Sequence, residues 1–366
     1  MMNQPKQNEG NSILVKEAPT RELSQTGIDI LLLEIQRLST LKNVALLTNK
    51  SSLTAQGVPT AYALSHVLKE NLACLFSPEH GWSAQDEDGK AVPDELDLQL
   101  KKNIYSLYGP LFKENLSYFD TLETLIIDIQ GVGVRCYTFA ATCAQVMDYL
   151  STLKNPPRII VCDRPNPLGT AQKGPLYSPT RQSLVQHLDV PFQHGKSIGN
   201  LLLSYNTAFE NPLGLEIIPY GDAFSPFEHR WVPALPNWTS VLLYPGLVLL
   251  EGVKISLGRG TDKPFMSLGA PLLDTERLTQ ALGSIPGLSV NSLAFTPQSS
   301  VFQGELCQGL EFKIIDFKNL DSYGFGLHLI RTLAKVYSDF QWVQNKEKGT
   351  YWIDAILGNS DFRLSI

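Results

Sequence analysis

The chain has 366 residues, 43% of them hydrophobic and 18% charged, with a net charge of -6 and a pI near 5.6. Such a length buries a substantial core and favours two domains over one. The weakly acidic balance supplies no basic face for a phosphate backbone, and no apolar run approaches the ~20 residues of a membrane helix, so neither nucleic acid nor membrane insertion is expected.

Residues 1–23 are polar, lack the apolar centre of an export signal and read as a flexible N-terminal tail. Gly27 to Leu38 then places Ile28, Leu31, Leu32, Ile35 and Leu38 on one helical face. A short apolar strand, Val44 to Leu47, follows. Thr60 has the chemistry of an N-cap for a helix that buries Ala63, Leu64, Val67 and Leu68. A second strand, Leu72 to Phe76, runs into Ser77-Pro78-Glu79-His80-Gly81. A third, Leu122 to Ile129, runs into Gln130-Gly131-Val132-Gly133, and the next helix buries Cys143, Val146, Met147 and Leu150. A fourth, Arg158 to Cys162, runs into Asp163-Arg164-Pro165-Asn166-Pro167, and Gln193-His194-Gly195-Lys196-Ser197 leads a further helix.

Strands apolar throughout, joined by amphipathic helices, predict an α/β fold: a doubly wound parallel sheet covered on both faces. The ligand crevice of such a sheet lies beyond the C-terminal strand ends, where three of the four polar clusters fall. After Asn206 the chain is richer in Pro and Gly, with strand-like runs Leu215–Ile218 and Leu310–Ile315 and a helix from Gly326 to Tyr337. The expected division is therefore 1–23 tail, 24–210 sheet domain and 211–366 a smaller α+β domain.

Within the clusters, Glu79 stands at a crevice lip between apolar Phe76 and Trp82, where desolvation suits a general acid; a helix cap or ion pair is the plainer reading. His80 adjoins it. Asp128 interrupts an apolar strand, a costly place for a charge unless paired or functional, and Arg135 is its expected structural partner. Gln130, Arg135 and Tyr137, on a loop with two glycines, suit hydroxyl, amide or carboxylate groups. Asp163 and Arg164 form either a stiffening pair or part of a site, and His194 is a ligand contact or a helix-entry residue. Gly258-Arg259-Gly260-Thr261 reads as a tight, exposed recognition turn, and Trp238 and Tyr244 are either sugar-stacking or core aromatics. No HExxH or Cys/His spacing calls for a metal. The five cysteines form no CxxC pair and fit a reducing, cytoplasmic setting.

The strings LLTNKSSLTAQGVPT, LFSPEHGWSAQDEDGKAV, IYSLYG, IIDIQGVGVRCYTF, VCDRPNPLG, PFQHGKSIGNL, LYPGLVLLEGVKISLGRGTDKPF and GAPLL occur in order. Together they resemble the NamZ-type exo-β-N-acetylmuramidases over roughly Gly27 to Gly358. The resemblance implies a Rossmann-like N-terminal domain, a smaller second domain and an active site in the cleft between them. It implies hydrolysis that releases N-acetylmuramic acid from non-reducing ends of muropeptides in cell-wall recycling, without metal or organic cofactor. The SPEHG glutamate, here Glu79, is the leading catalytic candidate, with His80, Asp128 and Asp163 as further catalytic candidates. For the lactyl carboxylate of that sugar a guanidinium is the natural partner, offered by Arg135, Arg164 or Arg259. Its acetamido group suits Gln130 or Asn166. The family pattern usually has a carboxylate where this chain has Gly131, Asn200 and Leu257. An active enzyme and a muropeptide-binding protein that has lost turnover are the two readings this leaves.

Overall fold

A run of four apolar residues, Val44–Leu47 (β1), is buried along its whole length, as a strand covered on both faces must be. It is the centre of a seven-stranded sheet in the computed structural model, which describes residues 25–177, 183–221, 231–347 and 349–366. The N-terminal tail expected over 1–23 lies outside the described residues. With β2 (Leu72–Ser77), β3 (Glu95–Asp97), β4 (Lys102–Ser106), β5 (Thr124–Ile127), β6 (Arg158–Cys162) and β7 (Leu215–Ile218), the order is β3-β4-β2-β1-β5-β6-β7. All pairings are parallel except β3 with β4. Strand β1 has β2 on one side and β5 on the other, so the chain reverses its direction of travel there. The ends of β2, β5 and β6 all point to one edge, and Glu79, Gln130 and Asp163 start from that edge as expected.

Helices cover both faces. Gly27–Leu33 (α1), Ile35–Thr40 (α2) and Thr60–Leu68 (α3) lie on one face, packing Ile28, Leu31, Leu38 and Leu64 against Leu46, Leu75 and Ile126. The single helix expected from Gly27 to Leu38 is broken at Glu34, whose ψ of 49° leaves the helical region. Thr60 does not cap α3; it is the helix's first residue, and its hydroxyl donates to Ser52 O and to Asp128 instead. After the short α4 (Phe112–Asn115), α5 (Phe139–Leu150) and α6 (Ile198–Asn206) cover the other face with Cys143, Met147, Leu150, Leu201 and Leu202.

Strand β7 completes the large sheet beside β6, beyond the boundary expected near residue 210. Its Leu-Glu-Ile-Ile pattern is only partly buried because it is an edge strand. The second domain follows: α7 (Trp238–Leu247), a three-stranded antiparallel sheet of β8 (Ser267–Ala270), β10 (Cys307–Ile314) and β9 (Leu288–Phe295), and the helices α8 (Thr275–Leu282), α9 (Ser322–Val336) and α10 (Trp352–Leu357). Helices α7 and α9 approach so closely that a Cβ on Gly246 would stand 2.1 Å from the Ser322 carbonyl oxygen. The core is continuous between domains, Tyr137 and Phe139 joining Tyr244 and Phe265. Among the described residues no helix is long and apolar enough to cross a membrane.

Candidate active site

At the junction of the two domains is a cavity of about 430 Å³, within the range of ordinary single-ligand sites. The first domain contributes Glu79 and His80 from the β2 loop, Asp88, Tyr108, and Cys136 to Thr138 ahead of α5. The second contributes Tyr244 from α7, Glu251, Arg259 and Trp352. The β2 turn is set by backbone conformation: His80 has φ 71° and Gly81 φ 68°. A positive φ at a non-glycine residue is strained and is retained where the surroundings require it. That twist turns Glu79 inward, where Oε1 accepts from the Gly89 amide at 3.0 Å and Oε2 from the Thr138 hydroxyl at 2.6 Å. The Tyr108 hydroxyl bonds the same carboxyl, and burial, reinforced by the Glu79 charge, holds that phenol well above its ordinary pKa.

The apolar flank expected for Glu79 is different from the one present. Phe76 stacks on Phe119 in the sheet core, and Trp82 donates to Asp97 Oδ2 at 2.9 Å. Neither lines the cavity, because strand alternation and the reversal at His80 turn both rings away. His80 is held by the Asp86 carbonyl oxygen at 2.8 Å from Nδ1, with Nε2 3.6 Å from Asp88.

Opposite Glu79 stands Arg259. Its turn is tight as expected, with Gly258 at φ 70° and Gly260 at φ 74°, and a Cβ on Gly258 would strike the Lys263 carbonyl oxygen at 2.4 Å. The side chain is not exposed: it folds back over the Phe265 ring at 4.7 Å and pairs with Asp88 and with Glu251, the latter at 2.5 Å. Burial pulls its pKa down to about 10, which still leaves a cation at neutral pH. The Tyr137 hydroxyl is buried with no hydrogen-bond partner among the described residues, a donor and acceptor presented by the cavity wall. Tyr244 also lines the wall, whereas Trp238 stacks with Trp231 at 6.2 Å.

The other sequence candidates lie behind the cavity and make the scaffold. Asp128 is paired with Arg164, not Arg135: Nε to Oδ1 is 2.6 Å and Nη2 to Oδ2 is 2.8 Å, both side chains fully buried. Asp163 accepts from the Ser197 hydroxyl and from the Arg164 and Gly199 amides. It thereby holds the N-terminus of α6 to the end of β6, where a helix start favours an anion. Burial raises its pKa against those three bonds. Arg135 gives Nη1 to the Pro175 and Val190 carbonyls and Nη2 to the Ile356 and Leu357 carbonyls. It therefore caps the last turn of α10 and ties the second domain to the first. Gln130 Nε2 bonds the Gly131 and Pro165 carbonyls, and Asn166 Oδ1 receives the Leu168 amide. His194 Nδ1 receives the Lys196 amide, and burial lowers its pKa to about 4, so the ring is neutral.

Sequence reasoning did not single out Glu251, Asp88, Tyr108 or Thr138. Glu251 had a readable signal, a lone carboxylate in the apolar run from Val241 to Leu257. It sits on a short helical turn, Val248–Gly252, next to buried Leu249 and Leu250. The three altered family positions lie away from the cavity lining: Gly131 faces Ile198, the Asn200 amide is bonded by Ser197, and Leu257 is in the core. Among the described residues no group of three or more His, Cys, Asp or Glu is arranged to hold a metal ion.

Comparison with known proteins agrees with the geometry. Residues 44–241 match the family described as exo-beta-N-acetylmuramidase NamZ, N-terminal, and residues 242–366 its C-terminal counterpart. The peptidoglycan beta-N-acetylmuramidase NamZ of Bacillus subtilis (strain 168) is 33% identical over 357 residues, covering 92% of this chain and 84% of that protein. Crystal structures of two DUF1343 family proteins of Bacteroides fragilis share the fold at 24% identity. One has a TM-score of 0.80 over 94% of this chain and 91% of its own, the other 0.66 over 93% and 90%. With both domain descriptions matched in order across a fold that places their junction at this cavity, the chain belongs to the exo-beta-N-acetylmuramidase NamZ family.

Proposed function

We propose that this protein is a glycoside hydrolase that releases N-acetylmuramic acid from the non-reducing end of peptidoglycan fragments, with Glu79 as a catalytic carboxyl. The observation that carries the reading is the pairing of chemistries in one cavity. A carboxyl fixed by donors on both oxygens, Glu79, shares the space with Arg259, the sole member of the three expected arginines that reaches it. N-acetylmuramic acid presents a reacting glycosidic centre for the first and a lactyl carboxylate for the second. A forked guanidinium binds a carboxylate with two parallel bonds, so Arg259 distinguishes this sugar from its neutral analogue. The Tyr137 hydroxyl and the Tyr244 ring serve the acetamido group and the sugar face.

The alternative of a binding protein without turnover rested on the altered positions, and these do not line the cavity. The cavity holds three carboxyls, Glu79, Asp88 and Glu251, and glycoside hydrolysis needs two. Five cysteines that are free and buried support work in a reducing compartment, which suits recycling of muropeptides in the cytoplasm. The test is incubation with a disaccharide bearing N-acetylmuramic acid β-linked at its non-reducing end. Wild type should release the free sugar. Glu79→Gln, the same shape without the carboxyl, should release none while still binding it. Turnover by Glu79→Gln at the wild-type rate would remove Glu79 from the mechanism.

A further inference from the structure

We infer that Glu251 is the second catalytic carboxyl and the proton donor to the leaving oxygen, with Glu79 as its ionised partner. The inference rests on the glycosidase reading above and exchanges the role that the sequence suggested for Glu79.

The two carboxyls reach the same cavity from different domains and meet different surroundings. Glu79 accepts hydrogen bonds on both oxygens from the Gly89 amide and the Thr138 hydroxyl, an arrangement that fits an acceptor-only carboxylate. Glu251 rises from the Val248–Gly252 turn, flanked by buried Leu249, Leu250 and Val253. A quarter of its side chain remains open, on the side of the cavity. Its polar partners are Arg259 and Trp352, and a carboxyl on such an apolar turn beside one that accepts on both oxygens follows the division by which glycosidases separate acid from ionised partner.

The titratable groups that face Glu251 are Glu79, Arg259, Cys136 and Tyr244. Burial pushes the Cys136 thiol up to about 12 and the Tyr244 phenol well upward, so both stay neutral. Burial, partly offset by a hydrogen bond from Trp352 and reinforced by the charge of Glu79, raises Glu251 to about 7. Arg259 opposes this while it pairs with Glu251 at 2.5 Å. A lactyl carboxylate that takes the guanidinium fork withdraws that counter-charge, and a buried carboxyl without it favours its protonated form. Binding of the correct sugar therefore arms the acid.

In the step itself the glycosidic C–O bond breaks, its electron pair passes to the leaving oxygen, and that oxygen takes the Glu251 proton. Glu79 stabilises the positive charge that develops at the anomeric carbon. Water adds its oxygen to that carbon, and its released proton restores Glu251.

The test compares Glu251→Gln and Glu79→Gln on two substrates, the natural disaccharide and 4-nitrophenyl N-acetylmuramide, whose leaving group needs little protonation. Glu251→Gln should lose about 10²–10⁴-fold in kcat on the disaccharide, the usual contribution of a general acid, and far less on the aryl glycoside. Glu79→Gln should lose both. In the unaltered enzyme kcat/KM on the disaccharide should fall as pH rises through about 7, while the aryl substrate should show no such limb. This measurement stands even if Glu251→Gln fails to fold. Equal losses by Glu251→Gln on both substrates, or the same high-pH limb on both, would overturn the assignment and leave the glycosidase reading intact. Wild type inert on both substrates would overturn the two together.

Discussion

The Asp128–Arg164 pair is the point where a structural and a catalytic reading separate most cleanly. Its guanidinium and carboxylate meet through two short bonds with both side chains almost wholly out of water. Asp128→Asn keeps the shape and removes the charge. Arg164 is then left with the Leu53 carbonyl and a buried Nη1 that already lacks a partner among the described residues. Breaking a buried pair from one side costs about 3–5 kcal/mol because a charge is stranded. At about 2–4 °C per kcal/mol for a domain of this size, the melting temperature should fall by about 6–20 °C. Calorimetry measures that fall, and kcat/KM taken well below the transition should stay near wild type. Adding Arg164→Met removes the stranded charge and should recover part of the loss. An unchanged melting temperature with turnover abolished would refute this reasoning and return Asp128 to the catalytic set.

Four further outcomes are expected. Arg259→Ala should raise KM for N-acetylmuramides by the equivalent of about 2–5 kcal/mol and hardly affect N-acetylglucosaminides; equal effects on both sugars, measured by initial rates, would remove Arg259 from lactyl recognition. Arg135→Met strands the carbonyls that end α10 at about 1–3 kcal/mol for each acceptor left unpaired, so thermal melting should shift down while KM does not move. His194, whose folded pKa is depressed to about 4, binds its proton more readily unfolded. Stability should therefore fall as pH drops from about 6.5 toward 4, and His194→Gln should flatten that part of the acid melting curve. Turnover should survive dialysis against a chelator, and loss restored by zinc or magnesium would contradict this.

Much of the first domain was legible because its signals are local. Runs such as Val44–Leu47 and Ile159–Cys162 are apolar and buried on every residue, which a strand covered on both faces explains. Polar clusters at their ends then follow from sheet geometry. Elements at edges were harder. Strand β7 carries half-buried residues on the border of a Pro- and Gly-richer stretch, so its composition placed it with the second domain while its hydrogen bonds place it beside β6. Thr60 illustrates the same limit: its chemistry suits a cap, but a buried carboxylate from a distant strand takes its hydroxyl, and no local pattern encodes that.

The site was legible by residue type and not by destination. Asp128 and Glu251 carry one signal, a single carboxylate in an apolar run, and they meet opposite ends. Asp128 follows a central strand, directly beside the end of β6, where Arg164 reaches it and closes every oxygen. Glu251 leaves a helical turn at a domain face, where its only ion-pair partner, among the described residues, is an arginine already shared with Asp88. The difference is whether the partner is exclusive. An exclusive partner buried on all sides has no ground state in which to release the charge, so it fixes structure. A shared partner at the mouth of a cavity can be drawn off by a ligand of the same sign as the carboxylate it leaves behind. That reasoning applies equally to Arg135 and Arg259. Both are buried guanidiniums, yet Arg135 is spent on four backbone carbonyls, two of them in the last turn of α10, that are fixed parts of the fold. Arg259 holds two carboxylates that an incoming third can replace, and recognition of an acidic sugar requires just that exchange.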